Sequence, residues 1–421
     1  MSRKRLKRAG RTFVAVVLCV ASYSWAGDYT IVSEQRLELD KTYPHPYSLA
    51  RGANGGYFVA GGTGPRAFAI KTNPELKTVW KTYLKWEYVV NVANTVIPMA
   101  DGGAILAGHT FVSDGKGGVL DVPFATKLDR EGGVIWTRKY GVKSGITGNG
   151  RFACGVETHD GIFVVGMRYK LWSGQPTNTG TALGTELRLT KLGEQGNVVW
   201  EKGIAEEGDD VVTALQLRQD NCARPIEDEA GDLVFAVSTM TGGSIVRNGM
   251  RIVAGPEVPD RVQRVVLAFK FDRDGRELAR LKLSAGANPQ LFARRGGYVL
   301  LDNILKKGAR GVRATVLDRN LKLTSQHAAE TEGPYFFMEA ALADGHGGFH
   351  IAGYYTTPPA GRGRSAMAYL NERGELLDIT QFGLGLPSWE PVSLAAHNDD
   401  VVLLRRDRRA VIELAILKRT H

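Results

Sequence analysis

Cysteine is scarce, with three in 421 residues, and no segment gathers cysteine and histidine into a metal-ligand pattern. The eight histidines, His45, His109, His159, His327, His346, His350, His397 and His421, are scattered along the chain. His346 and His350 are four residues apart, but a Gly-Gly pair lies between them where a helical zinc pair would need a continuous helix face. We therefore expect no metal and no cofactor. Helical periodicity is nearly absent, which removes the bundle folds. No Gly-x-Ser-x-Gly elbow, phosphate loop or dinucleotide fingerprint occurs in a strand-to-helix setting. Charge of one sign is also in short supply. The formal net charge is +10, yet six basic residues precede position 12 and the rest of the chain carries 48 basic against 44 acidic side chains. That balance gives no basic patch from which to expect a nucleic-acid partner.

The basic residues Arg3, Lys4, Arg5, Lys7, Arg8 and Arg11 lead into an apolar run from Phe13 to Ala21 and then a small-residue site, Ser24-Trp25-Ala26. This is the order of a secretory signal peptide. The run is about half of the roughly 20 residues that a spanning helix needs, so no membrane span is expected after cleavage. Residues 1–26 are read as the signal peptide and 27–421 as one domain, periplasmic or secreted. Cys19 follows Leu18, not the small residue of a lipid-attachment site, and leaves with the signal. Cys154 and Cys222 remain, and an oxidising compartment favours a disulfide between them.

What the chain has in abundance is glycine, with 51 residues, placed in a repeated phrase. Gly55-Gly56-Tyr57-Phe58-Val59-Ala60-Gly61, Gly102-Gly103-Ala104-Ile105-Leu106-Ala107-Gly108 and Asp160-Gly161-Ile162-Phe163-Val164-Val165-Gly166 each read as a tight turn followed by a strand. Weaker copies start at Gly231, Gly296, Gly347 and Asp399. A second phrase follows the first six: Lys127-Leu128-Asp129-Arg130-Glu131-Gly132 with Trp136, Lys191 to Gly196 with Trp200, and related turns at Asn73–Leu76, Asp272–Gly275, Asp318–Leu321 and Asn371–Gly374. Asp or Asn at the start and Gly at the end suit a hairpin turn. Asp272 to Gly275 is such a turn and lacks the remainder of a calcium loop.

Each unit thus supplies four strands in about 50 residues, the arithmetic of a propeller blade. The seventh copy ends after three strands, while Tyr29 to Leu39 forms an orphan strand near the start. The expectation is an all-β, seven-bladed β-propeller whose last blade is closed by the N-terminal strand, which also removes an open sheet edge. The Lys-Leu-Asp-x-x-Gly-x-x-x-Trp phrase resembles that of bacterial exported β-propeller repeat proteins, and is similar to quinoprotein-like and WD40-like blades. That resemblance implies a structural scaffold, mostly one for binding, and no particular activity.

Among propeller chemistries, the Ser-x-Asp-x-Gly-x-x-Trp turns of sialidases are absent, since Ser113-Asp114-Gly115 lacks both the spacing and the Trp. Residues that approach the propeller axis, Glu157, His159, Arg294, Arg295 and Asp344, are read as turn and entrance side chains, and none is assigned as catalytic. Trp80, Trp136 and Trp200 occupy one register, four residues beyond the turn, and belong to blade packing. Trp86, Trp172 and Trp389 fall outside that register, in connections that emerge on a single face. The two longest insertions, 168–186 and 239–264, open on the same face and bring Arg168, Arg247 and Arg251. Trp and Arg on long loops of a rigid scaffold suit recognition of a partner. Three readings follow. The first is a non-enzymatic propeller that binds another exported or envelope protein, as a scaffold, inhibitor or immunity-type protein. The second is a carbohydrate hydrolase or lyase using the central entrance, and the third is a carbohydrate-binding module that stacks sugars on the free tryptophans.

Overall fold

The structure is a computed structural model that describes residues 29–419 apart from 40–43, 87–89, 114–118, 141, 144–145, 148–149, 171–183, 205–221, 242–244, 248–249, 253–262, 307–308, 332–333, 357–363, 382–389 and 408–410. The expected signal peptide lies outside the described residues. Seven four-stranded antiparallel sheets form the blades of a propeller, and two short hairpins stand apart from them. In blade one the chain runs outward through His45–Arg51, Tyr57–Gly62, Arg66–Thr72 and Thr78–Lys85, and later blades repeat this order. Blade seven takes its fourth strand from the start of the chain: Tyr29–Leu37 pairs with Ile412–Arg419, with Tyr29 opposite Arg419 and Leu37 opposite Ile412. The Tyr29 hydroxyl also meets Nδ1 of His350 at 2.7 Å, which pins the closing strand to blade six.

Where a third-to-fourth-strand turn opens with Asp or Asn, its hydrogen bonds explain the choice, and blade three opens with Gly193 instead. Asp318 accepts the N–H groups of Asn320 and Lys322, both at 2.8 Å, and Asp129, Asp272 and Asn371 do the same in their own turns. The last turn residue takes a left-handed backbone, with φ of 86° at Gly132 but also 64° at Leu76 and 58° at Leu321. The neighbouring blade accounts for the choice. A Cβ on Gly132 would come within 2.7 Å of the Trp80 ring, and one on Gly196 within 2.7 Å of Trp136. Leu321 instead faces Ala279, which stands where the tryptophan would be, and a buried leucine fills that space. The core is accordingly a series of apolar clusters between adjacent blades.

The inner strands share a feature that bears on the channel. Six of the seven carry a register shift, at Pro46/Ser48, Ala93/Thr95, Phe152/Cys154, Ala287/Gln290, Met338/Ala340 and Pro391/Ser393. Such bulges bend a strand and re-aim its side chains. Bulge residues also join blades: Asn94 Nδ2 donates to the Phe152 carbonyl at 2.6 Å, and Asn288 Nδ2 to the Met338 carbonyl at 2.7 Å. Blade four differs. Its regular inner strand is only Ile226–Glu227, preceded by a lone bridge from Cys222 to Val237. Pro225 interrupts it, having no N–H to give the ladder.

Candidate functional site: the central channel

The inner strands of all seven blades surround a cavity of about 850 Å³. Its wall mixes apolar side chains such as Leu49, Val96 and Leu291 with polar ones such as Ser48, Thr95 and Gln290. The expected disulfide forms part of this wall. Cys154 and Cys222 are bonded, with Cα atoms 6.0 Å apart, and join the inner strands of blades three and four.

The charged groups of the channel are mostly paired. Arg406 holds Glu390 and also His45, where two inner strands begin. Glu227 accepts from the His159 backbone N–H at 3.2 Å and bonds its ring Nδ1. Glu157 accepts the Ala100 N–H at 2.7 Å, and burial raises its pKa above the usual carboxylate range. Glu339, the bulge residue of blade six, is also engaged. Arg224 is the exception. Its side chain is exposed and lines the cavity, and desolvation lowers its pKa from the usual arginine value, with no charged partner among the described residues to offset this. An arginine remains cationic under such a shift. Among the described residues Arg224 makes no ion pair.

Of the axis residues anticipated from sequence, Glu157 lines the channel and His159 sits beside it through Glu227. Asp344 closes its own turn, accepting from His346 N at 2.7 Å, Gly348 N at 2.9 Å and the Tyr369 hydroxyl. Arg294 and Arg295 are exposed and do not line the cavity. Among the described residues no group of three or more His, Cys, Asp or Glu side chains is placed to hold a metal ion.

The candidate binding face is described only in part. Trp172 and Trp389 lie outside the described residues. Trp86 is half-buried, packed edge-on against Phe124 with centroids 4.5 Å apart and with Lys139 Nζ 5.4 Å from its ring centre, so it covers the rim between blades one and two. Arg168 is half-buried in the second strand of blade three, opposite Glu186. Arg247 and Arg251 belong to a hairpin, Ile245–Arg247 against Met250–Ile252, in which Arg247 is opposite Met250 and Arg251 opposite Val246. Sequence reasoning passed over Arg224, Gln290, Glu339 and Arg406, which reach the channel through bulges or strand ends. The available signal was the proline following Arg224 in an expected inner strand.

No protein-family model matches the chain, and no curated protein matches it in sequence. Solved structures do match in fold. A streptogramin B lyase aligns with a TM-score of 0.50 at 11% identity, over 92% of this chain and 98% of that one. A catalytically inactive variant of virginiamycin B lyase from Staphylococcus aureus, with quinupristin, gives 0.48 at 10% identity, covering 92% and 99%. A Trypanosoma rangeli sialidase in complex with the inhibitor DANA gives 0.44 at 10% identity, and the match spans 92% of this chain but 60% of the sialidase. The shared property is the propeller fold.

Proposed function

We propose that this is an exported propeller, periplasmic or secreted, that binds another exported or envelope protein without transforming it, an inhibitor or immunity-type role being the most specific version. The observation that carries this reading is the blade-four insertion. Between the paired strands Leu233–Thr241 and Gln263–Phe271 the chain forms a separate hairpin of its own, bearing Arg247 and Arg251. A preformed hairpin loses little conformational freedom on binding. The Cys154–Cys222 disulfide and the basic-apolar-small start of the chain support export. No described helix is long and apolar enough to cross a membrane. Capture from the native envelope with the tagged mature chain should recover a stoichiometric protein. A variant with residues 245–252 replaced by a short Gly-Ser link should lose it while keeping its melting temperature. Equal recovery by both chains would reject this face.

A second reading, that the channel takes a carbohydrate, is favoured by the 850 Å³ cavity with its mixed lining, a size suited to a small ligand. Retention or consumption of sugars by the purified chain, lost on substitution of polar channel residues, is its test.

A further inference from the structure

We propose that Arg224 is an oxyanion-binding residue of the central channel, and that the ligand it receives is a small molecule bearing a single carboxylate. The proposal rests on the channel reading and adds the ligand's chemical class.

Three observations converge on Arg224. It lines the cavity formed by all seven inner strands. It has no ion-pair partner among the described residues, whereas Arg406, the other arginine of the cavity, is taken by Glu390 and His45. It is also held in place from both sides: Ala223 N donates to the Ala236 carbonyl at 2.8 Å, Cys222 is bonded to Cys154, and buried Pro225 follows. The Arg224 side chain is exposed to this cavity, and an oxyanion presenting two oxygens to its fork would form charge-assisted hydrogen bonds with it.

The rest of the cavity selects among oxyanions. Glu157, Glu227, Glu339 and Glu390 line the same space. Their field repels a phosphate dianion more than a monoanion. Ser48, Thr95, Gln290 and Ser393 offer hydrogen bonds to a neutral, hydroxyl-bearing remainder of the ligand. An acidic sugar has this chemistry.

Calorimetric titration of the mature protein with D-glucuronate, D-glucose and inorganic phosphate at neutral pH tests the assignment, repeated with Arg224→Gln and Arg224→Lys. Glucuronate should bind, glucose at least about tenfold more weakly, and Arg224→Gln should lose about tenfold for glucuronate alone, the worth of one charge-assisted contact. Arg224→Lys should fall between. Circular dichroism and the intact disulfide would certify each variant's fold. Glucose binding as well as glucuronate, phosphate binding more tightly than glucuronate, or glucuronate affinity unchanged in Arg224→Gln would overturn the proposal and leave the channel reading standing. Failure of every probe to bind would overturn both.

Discussion

The indole Nε1 of Trp80 donates to the carbonyl oxygen of Arg130 across 2.9 Å, fastening the outer strand of blade one to the hairpin turn of blade two. Trp136 repeats the bond to Glu194 of blade three, also at 2.9 Å. The ring covers the turn's glycine, so the side chain on one blade dictates the backbone residue on the next.

Trp80→Ala should cost about 2–3 kcal/mol, below the usual range for a fully buried tryptophan because Trp80 is partly exposed. Gly132→Leu alone should be worse, since its Cβ meets the Trp80 ring at 2.7 Å and φ is 86°. The double variant recreates the Ala279/Leu321 arrangement and should be more stable than the sum of the single effects predicts. Urea unfolding of all four chains measures the coupling, and strict additivity would refute it.

Asp302 and Arg313 form a buried two-pronged pair, with Nε to Oδ1 at 2.8 Å and a terminal nitrogen to Oδ2 at 2.6 Å, and Arg313 also donates to the Ser284 carbonyl at 3.1 Å. Asp302→Ala leaves the guanidinium buried without its counter-ion and should cost about 3–5 kcal/mol. Asp302→Leu combined with Arg313→Met should cost less than Asp302→Ala alone, because no charge is stranded. Urea midpoints of the two variants decide this.

The Cys154–Cys222 bond closes a loop with a sequence separation of 68. Replacing both cysteines by alanine should remove about 4 kcal/mol through the entropy regained by the unfolded chain. Unfolding of the wild type in reductant should approach that of the variant, and a midpoint indifferent to reductant would contradict this.

Two buried histidines should cost the fold stability as pH falls below 7, partly offset by Asp302, whose pKa burial raises to about 6 and whose protonation favours the folded chain in acid. Burial lowers the pKa of His109 to about 3 and that of His350 to about 4, against an ordinary 6.5. Both histidines are neutral in the folded chain, and Asn94 Nδ2 donates to Nδ1 of His109 at 3.2 Å. The unfolded chain gains a proton on each below about 6.5 while the folded chain does not, so their contribution is complete above that pH and declines as pH falls towards 4. Each should cost up to about 1.4 kcal/mol per pH unit in that window. Comparing urea midpoints at pH 7.5 and 5 should show the loss. His109→Gln, which keeps an acceptor for Asn94, should flatten the slope, and an unaltered slope would remove His109 as its source.

The blade count was legible because most of these turns use an Asp or Asn to take backbone N–H groups and end on a residue in left-handed φ, both local demands that leave letters in the chain. The orphan strand was legible from the three-stranded end of the seventh copy. The disulfide followed from the exported start of the chain, which leaves Cys154 and Cys222 as a pair in an oxidising compartment. The channel was not legible to the same degree. Whether Arg224 is paired depends on side chains from other blades, and the bulges that aim Glu339 or Asn94 follow from mismatched lengths of paired strands, not from a motif. Trp86 shows the converse. Its register marks it as different from Trp80, but only Phe124 and Lys139, contributed by blade two, show what it covers.

The pairing of Tyr29–Leu37 with Ile412–Arg419 has a consequence in time. The strand synthesised earliest in the propeller waits for the partner synthesised last within it, so six blades stand complete while the seventh lacks a side. Closing so distant a contact is slow compared with forming any single blade. Through that interval the nascent ring is open, with one solitary strand and one bare edge, and a holdase acting on this chain has most to protect in those moments.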